Sequence, residues 1–332
     1  MRKAVLVIAA ICSVTMLGSW GFLVHRTVNQ LAVYELPKAM RPFFHRHMAQ
    51  LVKESVRADE RRNSDKTEAP KHFIDFEAYG DSAAWKMPWS WAAAVEKYEK
   101  DTLLKYGYVP YVIMDVKAGL TRAFRTQNRD SILFYAADLG HYVGDMHVPL
   151  HTTLNYDGQL TNQKGMHSLW ESAIPEIELK NYNLSSRHNA SYLRVPEKKI
   201  WEGLRRSFSL TGEMLRLETE VSKSFTPEQK YRTQMRNGKE VRSYTSAFAR
   251  AYSKTLGNTV NAQLTSSANL LADLWYTSWV DGGKPDLYPL LDPVYTRAER
   301  DTFNRELKMF KHNSLLRNNK LLSRKNQAGN EE

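Results

Sequence analysis

Apolar residues recur at helical spacing along most of this chain. Val28 to Tyr34, Ile132 to Val143, Ile200 to Val221, Tyr244 to Leu256 and Val260 to Val280 each set them three or four positions apart, the stripe a helix needs to bury one face. Sustained two-residue alternation, which would mark strands, is scarce, and no internal repeat is present. Pro88, Pro110, Pro149 and the Gly282-Gly283-Lys284-Pro285 cluster punctuate the pattern as turns or helix ends. The pattern predicts a mostly α protein. With 332 residues the chain can bury one large core, and residues 20–292 read as a single multi-helix domain. Trp85, Trp89 and Trp91 are expected to pack within it.

The two flanks differ from this middle. Arg2 and Lys3 followed by the apolar run Ala4 to Gly18 make residues 1–19 a secretory signal peptide, cleaved before Trp20. The run is shorter than the ~20 residues of a membrane span. Residues 293–332 are rich in Lys and Arg and end in Asn-Gln-Ala-Gly-Asn-Glu-Glu. They read as a basic, partly disordered tail in which Leu307, Phe310, Leu315 and Leu316 could support one surface helix.

Composition narrows the chemistry. The lone cysteine, Cys12, lies inside the signal segment, so the mature chain would contain neither disulfides nor thiolate ligands. Lipid anchoring at Cys12 fits less well, because Ile11 occupies a position that processing reserves for a small residue. The net charge of +11 favours anionic partners, and the basic tail could touch an anionic surface. No obligate protein partner is evident, and the destination is secreted or periplasmic.

Against this background, the segment His141-Tyr-Val-Gly-Asp145-Met-His147-Val-Pro-Leu-His151, followed by His167-Ser-Leu-Trp-Glu171, carries the candidate chemistry. His141 and Asp145, and again His167 and Glu171, stand one helical turn apart on a shared face. With His151 between them, imidazoles and carboxylates at these spacings suit zinc in an open, catalytic site. His147 falls off the His141–Asp145 face and reads equally as a supporting group or a packed core residue. His45, His47, His188 and His312 have no spaced partner and read as ordinary residues.

A terminal Trp20-Gly-Phe-Leu-Val-His25, the central HxxxDxHxPLH and the following HxxxE together resemble the superfamily of zinc-dependent phospholipases C and single-strand-specific zinc nucleases. The resemblance implies a helical domain holding three zinc ions in a cleft. Asp145 would bridge two of them. The first ion would also take His72, His141 and a carboxylate upstream of His72, for which Asp59 is chosen, with Asp65 and then Glu60 as substitutes. The second would take His151, His167 and Glu171, and the third Trp20, through its amine and carbonyl, with His25. His72 is expected on a helix or strand. Catalysis would rest on Asp145, Asp59 and Arg62, the last binding a phosphate oxygen, and Phe73 and Asp75 would form a base-binding pair.

The resemblance implies a secreted zinc phosphodiesterase and leaves the substrate between phospholipid headgroup and single-stranded nucleic acid. Glu171 as a last ligand and the short step from His151 to His167 look phospholipase-like. His72-Phe73-Ile74-Asp75 looks nuclease-like. Leu23 stands where the phospholipase pattern is acidic, and Ser172 where the nuclease pattern has asparagine. The balance leans to phospholipase C, with the single-strand nuclease as alternative. A non-catalytic, metal-stabilised envelope binding protein is the reading from a different class.

Overall fold

The computed structural model describes residues 21–236 and 239–325. The segment read as a signal peptide, with Cys12, and Trp20 lie outside the described residues. Four helices make the centre: Phe22–Glu35, Val109–Arg125, Arg129–Asp145 and Thr259–Asp281. The second and third form a helical hairpin, and the fourth packs against the other three. Their shared core includes Phe44, Phe124 and Trp275, all fully buried, and the Trp275 indole N–H donates to the Ala136 carbonyl at 3.1 Å. The long Pro196–Ser222 helix lies over Pro149–Thr152 and the Ser246–Leu256 helix. The architecture is mostly helical and forms one domain, as the periodicity predicts.

Local sequence explains where these helices start. Asn128 caps Arg129–Asp145 by accepting from the Ser131 N–H at 2.8 Å. Pro110 opens Val109–Arg125 from its first turn, where a missing N–H costs nothing. Tyr244 does not begin a helix: it closes a two-stranded antiparallel hairpin, Tyr231–Arg236 with Lys239–Tyr244, and Thr245 caps the helix that follows. No helix among the described residues is long and apolar enough to cross a membrane.

Two glycines decide how the centre closes. Gly140 and Gly144 lie one turn apart on the Arg129–Asp145 helix, facing the Phe22–Glu35 helix. A Cβ on Gly140 would stand 2.3 Å from Asn29, and one on Gly144 would stand 2.6 Å from His25 Nδ1. The absence of both side chains lets His25 sink to the His141–Asp145 turn, and the His25 and His141 rings stack with centroids 4.2 Å apart.

Two expectations are corrected. Trp85, Trp89 and Trp91 are surface residues, 54%, 39% and 36% exposed, because they lie on and between two short helices that bury only small residues, Ala83, Ala84 and Ala94. The segment read as a tail packs onto the domain. Helix Arg297–Lys311 starts with a capping box at Thr296 and Glu299 and buries Phe303 and Phe310. Further on, Lys320 O accepts from Gln30 Nε2 at 2.7 Å, Gln30 Oε1 accepts from Leu322 N, and Ser323 meets Thr27 at 2.9 Å. All three contacts fall on the helix that carries His25.

Candidate metal centre

The His141–Asp145 pair occupies the last turn of its helix, where unsatisfied carbonyls already make the potential negative. A buried carboxylate there requires cations nearby, and imidazoles surround it. His72 Nδ1 lies 2.9 Å from Asp145 Oδ2, and His141 Nε2 lies 3.3 Å from the same oxygen. His25 Nε2 approaches the other oxygen, Oδ1, to 3.4 Å. Asp59 Oδ1 stands 3.8 Å from both His72 Nδ1 and His141 Nε2. On the far side, His167 Nε2 lies 2.7 Å from Glu171 Oε2 and 3.2 Å from His151 Nε2. Three groups result: His25, His141 and Asp145; Asp59, His72 and His141; His151, His167 and Glu171.

Three of the histidines are held by the atom that faces away. His141 Nδ1 donates to Ser55 O at 2.8 Å, His151 Nδ1 to His72 O at 2.8 Å, and His167 Nδ1 to Tyr156 O at 3.1 Å. These bonds fix the tautomer and leave Nε2 lone pairs converging on shared space, an arrangement that is repulsive without a cation between them. Burial alone would lower the His141 and His151 pKa values. Asp145 and Asp59 raise the first to about 10, and Asp145 with Glu171 raises the second to about 9. Burial would likewise raise Asp145, but His141 and His151 hold it well below the usual carboxylate range. The site therefore draws positive charge strongly, and its donors, imidazole nitrogen and carboxylate oxygen without sulfur, are those of zinc. The three groups fit a trinuclear zinc site.

The sequence-derived candidates are placed as follows. His72 lies on neither helix nor strand but just after the 3-10 turn Ala69–Lys71, held by neighbours: Ile74 N donates to His151 O and Asp75 N to Tyr106 O. His167 and Glu171 straddle a short helix and a π-helical turn, Leu169–Ala173, a wider turn that recurs at functional sites. Gly21 lies against this turn, where a Cβ would stand 2.5 Å from Glu171 Oε1. Asp59 is the upstream carboxylate that reaches the group. Asp65 turns away to accept from Thr67 N and Oγ1 at 2.8 and 2.7 Å, and Glu60 is exposed. His147 lies in no group; it is buried, donates Nδ1 to Val143 O, and burial lowers its pKa to about 4. His45 pairs with Tyr295 and Glu306, His188 with Asp273, and His312 is exposed.

Outside the groups a cleft of about 450 Å³ is lined by Arg62, His72, Phe73, Asp75, Tyr106 and His151 among others. Arg62 is half exposed, 3.5 Å from Asp59. Asp75 is buried; burial, then Glu77, raise its pKa to about 7 against the opposing pull of His151. Gly107, at φ +85°, lets the next segment pass against Phe73, where a Cβ would stand 2.3 Å from the Phe73 carbonyl. One buried group escaped sequence reading: Glu68, fully buried, with Oε1 3.5 Å from His72 Nε2. Its only sequence signal is its place four residues before His72.

Comparison with known proteins agrees with this geometry. The family model for S1/P1 nuclease matches residues 20–278. No curated protein matches the chain significantly. The match favours the nuclease alternative over the phospholipase C lean, which rested on the choice of Glu171 and one loop length, features that shape the second group without selecting a substrate. Most of the chain is covered by the family model and all three histidine–carboxylate groups are assembled, so the chain belongs to the S1/P1 nuclease family and is a zinc-dependent phosphodiester hydrolase.

Proposed function

We propose that this protein is an exported nuclease that cleaves single-stranded nucleic acid, with export completed by cleavage before Trp20. The observation that carries the substrate reading is the cleft itself. Phe73 and Asp75 line the same cavity as His72, His151 and His167, so an aromatic face and a hydrogen-bonding carboxyl sit beside the metal centre. A nucleobase has a π-face and polar edge to match both, and single strands leave them free. A choline headgroup also suits an aromatic face and a carboxyl through its cation, but it offers no π-face to stack and no hydrogen-bonding edge.

In this reading Asp59, His72, His141 and Asp145 hold the first zinc, and His151, His167 and Glu171 the second. His25 and Asp145 hold the third together with the amine and carbonyl of Trp20, which directly precedes Gly21. Zinc supplies Lewis acidity and an activated water for attack on phosphorus. The protein's own groups do the rest. Asp145 would serve two of the ions, Asp59 would complete the donor set of the first, Arg62 would offer its donors to a phosphate oxygen, and Phe73 with Asp75 would hold the base.

Parallel assays on single-stranded DNA, duplex DNA and phosphatidylcholine vesicles, each with and without chelator, test the proposal. Chelator-sensitive cutting of single strands, with little on duplex and no diacylglycerol, is expected. Diacylglycerol release without nucleotide products would reverse the reading. A fully zinc-loaded protein inert on all three would favour a binding role.

A further inference from the structure

His72 is mounted opposite to the other anchored histidines of the centre. His141, His151 and His167 each turn Nδ1 to a neutral backbone carbonyl and offer Nε2. His72 instead offers Nδ1, 2.9 Å from Asp145 and 3.0 Å from His141 Nε2, and its rear Nε2 faces the Glu68 carboxylate at 3.5 Å. Glu68 is itself immobilised. Lys71 Nζ donates to Oε2 at 2.7 Å, Arg61 Nη2 to Oε1 at 3.1 Å, and the Tyr142 hydroxyl to Oε1. Arg61 continues to Asp138 at 2.9 Å, which Arg57 also holds at 2.6 Å.

This network has a direction. Lys71 precedes His72 and Tyr142 follows His141, so two of the three groups that fix the carboxylate belong to the segments that deliver the two imidazoles, and the third, Arg61, comes from the helix that carries Asp59. A fixed anion behind an imidazole keeps the proton on the near nitrogen, leaves the lone pair on the far one, and strengthens it as a donor.

We propose that Glu68 is a positioning residue, holding His72 through Nε2 so that Nδ1 is presented to the first metal ion. This rests on the reading above in which His72 is a ligand of that ion.

The test compares the mature protein with Glu68→Gln, Glu68→Ala and His72→Ala. Zinc content is measured across a chelator-buffered series of free zinc, and visible spectra are recorded after cobalt substitution. Glu68→Gln, which keeps the shape of the side chain, is expected to release one ion at roughly 10- to 100-fold higher free zinc than the parent. Its cobalt bands should move, the other two ions should stay, and Glu68→Ala should be weaker still. If Glu68→Gln does not fold, Tyr142→Phe, which loosens the carboxylate without removing it, should show the same change at smaller size. Parental zinc release and parental cobalt bands, with only a lowered melting temperature, would mean that Glu68 merely neutralises Arg61 and Lys71, and would overturn the proposal. Three ions in His72→Ala would instead overturn the ligand reading beneath it.

Discussion

At the scale of single residues, Asp145 and the cleft pair Phe73 and Asp75 carry the sharpest expectations. Asp145 faces His72 and His141 with one oxygen and His25 with the other. Asp145→Asn should therefore weaken two ions, lower zinc content by more than His167→Ala does, and abolish turnover; a full metal complement in that variant would rule out the bridge. Phe73→Ala should raise KM on single strands by the equivalent of about 1–3 kcal/mol of lost stacking and leave kcat nearly unchanged. If it lowers the melting temperature and leaves KM alone, Phe73 is only packing. Asp75 introduces a pH dependence. Its folded pKa, raised to about 7 by burial, lies above that of an unfolded aspartate, so the native state binds the proton more tightly. That contribution is complete below pH ~4 and is lost as pH rises to about 7, at most about 4 kcal/mol. Asp75→Asn should flatten this slope in melts across pH 4–8, and an unchanged slope would refute the assignment.

At the scale of elements, the centre depends on how closely two helices approach. Gly144→Ala would drive a methyl into His25, and the helix that carries His25 would have to move away. The variant should lose its third ion and most of its activity while keeping its helix content by circular dichroism; retained metal would show that the gap can close another way. The sequence made much of this legible and hid the rest for physical reasons. HxxxD and HxxxE spacings are local and survive in any helical turn, so both pairs could be read directly, although the second straddles a π-helical turn. Asp59, on the five-residue helix Arg57–Arg61, and His72, after a 3-10 turn held by bonds such as Ile74 to His151, leave no periodic trace and are reachable only through the motif resemblance. Glu68 was invisible because its partners, Arg61, Lys71 and Tyr142, converge only in the fold. The hairpin leaves one local sign in the sequence, the turn pair Asn237-Gly238. The tryptophans stay at the surface because aromatic character alone does not bury a side chain where the neighbouring helices are too short to cover more than alanines.

At the scale of the whole molecule, one core is assembled around the centre and fastened by its later residues. Lys320, Leu322 and Ser323 bond to Gln30 and Thr27 on the helix that bears His25. A chain stopped after residue 319 should melt lower and lose the third ion first, as a zinc count would show; an unaltered metal content would make the fastening purely mechanical. Trp20 gives the matching test at the other side. An extra residue before it should remove the third ion and most activity while leaving the helices in place. The fastening also sets an order of events. Residues 320–323 leave a ribosome or translocation pore only after every other element of the domain, so the His25 helix stays uncovered on that side until then. The cluster that takes His25 from the earliest part of the domain is therefore backed only once these late residues have bonded to Gln30 and Thr27.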